Sequence, residues 1–306
     1  QSEIRNQKMS VHRLSNIPGF SIDRVAAAAG NDPDVLRMEN LDTDIPPPQS
    51  AIEATQKSVL LDDANSYLPF TGTRELRTAV VNHLFKTSGQ KYNPDTEVVI
   101  TCGATEGMLD ALLATTDPDD EVILTDPTYA GMTNRVRLAG ATPKLVPFVS
   151  VILNEAKRSE ESTRRMDSSS RLESTGTQND KIQHAASWRL DLDALRSAIT
   201  TRTRAMFIMN PSMPSGAVLS QDEWNEIATL CCKNNLWLIY NAAMERILYD
   251  GVPFIHPVSL PNMRERTITL GSVSKEFRMI GWRIGWVVGP SEIMSDIARV
   301  HIYNVV

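Results

Sequence analysis

Val98-Val-Ile-Thr101-Cys-Gly103-Ala104-Thr105-Glu106-Gly107-Met108-Leu109-Asp-Ala-Leu112-Leu113 is the stretch that decides the fold. The short apolar run Val98 to Thr101 reads as a buried strand, and Met108, Leu109, Leu112 and Leu113 recur at helical spacing. Between them lies a glycine turn, so the chain is expected to leave a strand, bend at Gly103 and enter a helix. Such a turn aims free backbone N–H groups and the positive end of a helix dipole at whatever anion lies above it.

The same alternation continues on both sides. Leu76, Val80 and Leu84 share a face over Arg74 to Phe85, which reads as a helix, as does the stretch carrying Trp224, Ile227, Leu230 and Cys231. Short apolar runs at Val122 to Thr125, Ala205 to Met209, Leu236 to Tyr240 and Thr267 to Leu270 read as further buried strands. Residues 46–290 are therefore expected to form a three-layer α/β/α domain around a mostly parallel sheet. Residues 149–187 break the pattern with Lys-Arg-Ser-Glu-Glu and Ser168-Ser-Ser-Arg-Leu-Glu-Ser-Thr-Gly, and they read as a flexible polar insertion. Open α/β sheets bind ligands at the carboxyl ends of their strands, so the residues that follow each run carry the functional reading.

Composition narrows the functional classes. A 306-residue chain with 42% hydrophobic and 22% charged residues is long enough for a large core, which excludes disorder of the whole chain. A formal charge of −6, with Lys and Arg scattered rather than striped, gives no field for nucleic acid. No run of eighteen apolar residues suggests a membrane span, and the polar start Gln1-Ser-Glu-Ile carries no apolar leader core. A cytoplasmic protein is expected. Cys102, Cys231 and Cys232 lack metal-ligand spacing, and Cys231 sits where a helix would pack.

Four clusters follow the strands. Asp126-Pro-Thr-Tyr129 would hold a tyrosine at the sheet edge. Asn210-Pro-Ser-Met213-Pro-Ser-Gly216 is dense in turn chemistry, and Asn241-Ala-Ala-Met244-Glu245-Arg246 follows a strand directly. Gly271-Ser272-Val-Ser-Lys275-Glu-Phe-Arg-Met-Ile-Gly281-Trp-Arg283-Ile-Gly285 offers a hydroxyl, an amine and a guanidinium to one anionic ligand. A lone lysine is usually a solvated charge. One that reacts as an amine must be held where it can be neutral, and a fixed cation nearby such as Arg283 favours that state. Alternation along Trp282 to Val288, read as a strand, would turn Arg283 and Gly285 to one side and Trp282, Ile284 and Trp286 to the other.

Taken in order from Tyr67-x-Pro-x-x-Gly72 to Gly289, these motifs resemble the class I and II aminotransferases, the fold-type-I pyridoxal-phosphate enzymes. The resemblance implies that Lys275 forms a Schiff base (internal aldimine) with pyridoxal 5'-phosphate and shuttles the proton at the substrate α-carbon. It further implies that Ser272, Arg283 and the turn Gly103-Ala104-Thr105 bind the cofactor phosphate, that Tyr129 stacks on the ring, and that Asn241 meets the ring nitrogen. Tyr67 would reach the phosphate of the neighbouring subunit in a homodimer. The activity implied is amino transfer between an amino acid and a 2-oxo acid.

The sequence departs from the family pattern at three ring contacts: Met213 stands where Asn is usual, Asn241 where Asp is usual, and Met244 where Tyr is usual. The family also continues into a small C-terminal domain that supplies an arginine for the substrate carboxylate. Here residues 1–45 read as an N-terminal arm and part of that small domain, and 291–306 as the start of its C-terminal part. These departures leave two alternatives to amino transfer: a pyridoxal-phosphate lyase or oxidase acting on an amino acid, and a non-catalytic homologue.

Overall fold

The computed structural model describes residues 14–19, 21–30, 32, 34–38, 44–152, 186–249 and 251–305. Their centre is an eight-stranded sheet: β1 (Val98–Thr101), β2 (Glu121–Asp126), β3 (Thr142–Ile152), β4 (Ala186–Leu190), β5 (Thr203–Met209), β6 (Trp237–Asn241), β7 (Thr267–Ser272) and β8 (Gly285–Val288). The spatial order is β1-β8-β7-β6-β5-β2-β3-β4. The strands from β7 to β3 pair in parallel, and β8 runs antiparallel between β7 and β1. Strands β1, β2, β5, β6 and β7 therefore point their carboxyl ends to one edge, where β8 begins. Five of the strands foreseen from apolar runs are present, and the mostly parallel sheet matches the expectation.

Both faces are covered. Alternation along β2 and β5 sends Val122, Leu124, Ala205 and Phe207 to one face and Ile123, Met206 and Ile208 to the other. The first face packs on α4 (Gly103–Thr115), α5 (Met132–Leu138) and α8 (Ser291–Val305), through Met108, Leu112, Val136, Ile293 and Ile297. The second packs on α6 (Leu192–Ala198) and α7 (Gln221–Asn234), through Leu195, Trp224, Ile227 and Cys231. Each fully buried Leu, Ile, Phe or Met here contributes about 1.5–3 kcal/mol. Cys231 is fully buried, as its helical spacing suggested. Beside β1 and β8, α3 (Arg74–Ser88) buries Val80 and Leu84 against Trp286 and Val288. The remaining helices, α1 (Ser21–Ala29) and α2 (Gln49–Ser58), precede the sheet, and α2 buries none of its residues.

Helix ends follow local chemistry. Ser220 and Glu223 form a reciprocal capping box on α7, and Asn235 closes that helix in the left-handed conformation. On α3, Thr73 caps the start and Gly89 ends it at φ 70°.

Both ends of the segment 149–187, expected as a flexible insertion, are strand instead. Val149 to Ile152 extend β3 and pair antiparallel with Ala186 to Arg189 of β4, because a return strand satisfies their backbone groups. The rest of that segment, 153–185, lies outside the described residues.

Candidate functional site

The expected residues meet at the carboxyl edge of the sheet. A cavity of about 150 Å³ is lined by Ala104, Thr105, Tyr129, Met213, Asn241, Ser272, Lys275 and Arg283. They come from six places along the chain: Ala104 and Thr105 from the first turn of α4, Tyr129 and Met213 from the loops after β2 and β5, Asn241 from the end of β6, Ser272 and Lys275 from the end of β7 and the turn after it, and Arg283 from the entry to β8. Met108, Met209, Ala243, Ser274 and Ile280 also line it, and motif reading did not single them out. They are apolar or small wall positions, which carry no distinctive sequence signal.

One end of the cavity is built for an anion. Gly103 opens α4 at φ 70°, a conformation that favours glycine. A Cβ there would also run into the Arg283 guanidinium, so the missing side chain lets that cation lie on the helix start. Gly285 makes the complementary fit, since an added Cβ would overlap the backbone of Gly103 and Ala104. Gly285→Ala is accordingly expected to lower Tm and weaken phosphate binding together, read by thermal melts and by titration with inorganic phosphate. Ser272 is buried beside this corner, and its hydroxyl accepts the Ser274 N–H at 3.4 Å. Helix-start amides, a hydroxyl and a guanidinium form a donor set suited to a phosphate dianion.

Arg283 reaches the site by a different route from the one expected. Strand β8 starts only at Gly285, and Trp282 belongs to a helical turn. Arg283 adopts the left-handed conformation at φ 54°, and its Nη1 donates to the Ile280 carbonyl at 2.7 Å. The guanidinium thus folds back over its own turn, and strand alternation does not set its direction. Trp286 is buried, whereas Trp282 is only half-buried.

At the opposite end, Asn241 is 2% exposed and its Oδ1 accepts the Ala243 N–H at 3.0 Å. That bond fixes the amide orientation, because only the oxygen can accept, and it leaves the NH₂ as the end offered to a ligand. Tyr129 packs on the core cluster, with the Arg135 guanidinium 5.9 Å from its ring centre. Met213 lines the cavity, but Met244 is a wall residue of the core and does not line it. Tyr67 is 92% exposed, stands edge-on to Phe70 and is not part of this cavity.

A second polar cluster secures the same helix start from behind. His301 of α8 places Nδ1 2.7 Å from Glu106 Oε1 and Nε2 2.9 Å from the Phe70 carbonyl. Both partners accept, so the ring is held as a cation: burial opposes the charge, but the Glu106 contact outweighs it and raises the His301 pKa. Asp110, fully buried and bonded to Asn304, is pushed up to about 7 by burial and by the Glu106 charge. No motif signals this cluster, whose members are some 195 positions apart. Groups with raised pKa values stabilise the fold at low pH. The Asp110 share is lost between about 4 and 7, and the His301 share is lost above its ordinary range. Asp110→Asn is therefore expected to raise Tm at pH 8 and to flatten its fall between pH 5 and 8, as measured by thermal melts.

Comparison with known proteins gives consistent relatives. The family model described as aminotransferase class I and II matches residues 35–159 and 166–302. The probable N-succinyldiaminopimelate aminotransferase DapC of Mycobacterium tuberculosis is 32% identical over 256 residues, 84% of this chain and 56% of that protein. Human kynurenine–oxoglutarate transaminase 1 is 31% identical over 269 residues, 88% of this chain and 58% of that protein. The chain thus spans little more than half the length of these relatives. Among solved structures, the N-succinyldiaminopimelate aminotransferase of M. tuberculosis superposes with a TM-score of 0.81 at 30% identity, covering 97% of this chain and 68% of that one.

Proposed function

The chain belongs to the class I and II aminotransferases, and from that membership we propose that its cavity binds pyridoxal 5'-phosphate at Lys275 and moves an amino group between an amino acid and a 2-oxo acid. The observation that carries this reading is the convergence of Lys275, Ser272, Arg283, the start of α4, Tyr129 and Asn241 on one cavity. The donor set fits the cofactor: guanidinium, hydroxyl and amides for its phosphate, an aromatic face for its ring, an NH₂ for its ring nitrogen and an amine for its aldehyde. When bound, the cofactor supplies an aldehyde carbon that joins amines and a pyridine ring that takes up the electron pair left at the substrate α-carbon.

The chain's own residues do the rest. Arg283, Ser272 and the Ala104 and Thr105 amides anchor the phosphate dianion, which fixes the ring across the cavity. Tyr129 restricts that ring to one plane. Lys275 would hold the cofactor through its amine and, with that amine free, would take up and return the proton of the substrate α-carbon. Asn241 donates a neutral hydrogen bond to the ring nitrogen, which steadies the ring but adds no negative charge beside it.

The same reading assigns 46–290 as the cofactor domain, and 1–45 with 291–306 as parts of a small domain. The exposure of Tyr67 supports its service to a second copy in a homodimer, since it does not serve its own cavity. A cytoplasmic location is part of the same proposal; among the described residues no helix is long and apolar enough to cross a membrane. The test is product analysis. After loading with pyridoxal phosphate, an amino acid and a 2-oxo acid are expected to exchange functional groups. Ammonia or peroxide released without any 2-oxo acid would reject amino transfer in favour of a lyase or oxidase.

A further inference from the structure

Behind the turn that carries Lys275 lies a second, much smaller cavity of about 10 Å³, lined by His83, Glu245, Thr269, Ser272 and Glu276. Its volume matches the roughly 10–15 Å³ that one water needs. Its walls are mixed: Leu84, Ala242, Gly271 and Trp286 complete the lining, and among the polar groups Thr269 Oγ1 is fully buried with no hydrogen-bond partner, Glu245 Oε1 lies 3.6 Å from His83 Nε2, and Glu245 Oε2, also without a hydrogen bond, lies 3.6 Å from His256 Nε2. Glu245 is 3% exposed and Thr269 is 1% exposed. A buried hydroxyl without a partner, beside a buried carboxyl whose nearest donors stand beyond hydrogen-bond distance, costs free energy, so a small polar guest is favoured here.

The groups facing the cavity choose that ligand. Glu245 and Glu276 accept, whereas the Thr269 hydroxyl and the His83 ring donate, which is the complement of a single water with two donors and two acceptors. Nearby, His256 Nδ1 accepts the Val258 N–H at 3.4 Å, so the proton of the neutral ring sits on Nε2 and points at Glu245 Oε2, 3.6 Å away. Burial pushes His256 down to about 4, which keeps it neutral, while Glu276 is pushed up by burial and by the Glu245 charge. Arg246 and Tyr240 complete the polar and titratable neighbours: Arg246 lies 3.6 Å from Glu276, and the Tyr240 ring stands edge-on to His256.

The position of this cavity gives it consequence. Glu245 belongs to the turn that begins at Asn241, where Asn241 Oδ1 holds the Ala243 N–H. The next residue, Arg246, donates its N–H to Glu276 Oε1 at 3.3 Å, and Glu276 directly follows Lys275. Ser272 lines both cavities. Glu245 therefore plugs into the interior a turn that, beside the β6–β7 ladder, ties the Asn241 segment to the Lys275 segment.

We propose that a single ordered water fills this cavity, donating to Glu245 and Glu276 and accepting from Thr269 and His83, and that Glu245 thereby acts as a positioning residue for the segments carrying Asn241 and Lys275. The water site stands on geometry alone. The positioning role rests on the proposed reading of Lys275 and Asn241 as cofactor contacts.

Three readouts test it on the intact chain. A crystal structure that resolves waters is expected to show one density peak bonded to Glu245, Glu276 and Thr269, and a dry, collapsed or cation-filled cavity overturns the site. Glu245→Leu is expected to speed amide hydrogen exchange over 242–246 and 273–279 by about tenfold while leaving α7 unchanged, whereas Glu245→Gln, which keeps an acceptor oxygen, stays near wild type. Equal exchange in all three proteins, or acceleration everywhere, removes the positioning role, and Thr269→Val supplies the same comparison should the leucine variant not fold. With pyridoxal phosphate bound, the pH midpoint of the visible band is expected to move in Glu245→Leu and return in Glu245→Gln. A wild-type chain that binds no pyridoxal phosphate would instead sink the cofactor reading, leaving the water and the exchange result to stand or fall separately.

Discussion

Lys275→Ala is expected to abolish the visible absorbance that pyridoxal phosphate gives with the wild-type chain, and with it all borohydride-stable attachment of the cofactor. Alanine removes the only side-chain amine among the residues that line the cavity, so no bond can form at the cofactor aldehyde there. The phosphate corner of Arg283, Ser272 and the α4 start remains, so the variant is still expected to take up the cofactor non-covalently. Amino transfer loses both the attachment and the group that moves the α-proton, and proton transfer by a positioned group is by itself worth about 10²–10⁴ in rate. Intact-protein and peptide mass spectrometry after reduction checks the claim. The added mass must fall on the peptide holding Lys275, and its appearance on another lysine, or its persistence in the alanine variant, defeats the assignment.

The parts of the site that were legible in the sequence are those in which chemistry follows a strand within a few residues. Val98 to Thr101, the glycine turn and the helix beginning at Gly103 read directly because strand, bend and helix each carry their own local signal. Arg283 is legible from the lysine run and the motif resemblance, but the direction expected of it from strand alternation rests on a strand that does not extend to it. Its side chain closes on Ile280 in a left-handed turn, and a strand pattern starting three residues too early happened to give the same side. Strand β3 stayed hidden because Pro143 and Pro147 lack N–H groups on one edge, which argues against a sheet interior. The fold tolerates them because β4 pairs only with Phe148 to Ile152, so no strand asks for an N–H from Pro143 or Pro147 on that side, where the Pro147 carbonyl alone accepts, from the Asp191 N–H. Met244 lies in the turn after Asn241 and packs against the core, and its side-chain direction follows from how that turn is plugged in, which local sequence does not encode. The clusters around Asp110 and Glu245 were beyond local reading altogether. Each joins residues from separate elements, and each becomes visible only once burial removes water from groups that would be ordinary on a surface.

Asn241→Asp is expected to raise the rate of proton loss from the substrate α-carbon by about ten- to a thousandfold, because an opposite charge beside the ring nitrogen shifts its pKa upward by about 1 to 3 units. The substitution suits the structure. One carboxylate oxygen can keep the bond to the Ala243 N–H, which also favours the ionised form, and the other takes the place of the NH₂ that the Ala243 bond leaves to a ligand. In the wild-type chain that NH₂ can only donate, so the ring nitrogen must accept and is expected to carry no proton near neutral pH. Two measurements separate this from a general change in affinity. Ring-¹⁵N-labelled cofactor should give the resonance of an unprotonated nitrogen in the wild type and a protonated one in the variant, and deuterium uptake at the substrate α-carbon should accelerate in the variant while the phosphate corner keeps its affinity. A protonated nitrogen already present in the wild type would show that some group other than Asn241 supplies the charge, and the turn from Asn241 to Arg246 would then have to be reassigned from a ring contact to a purely architectural one.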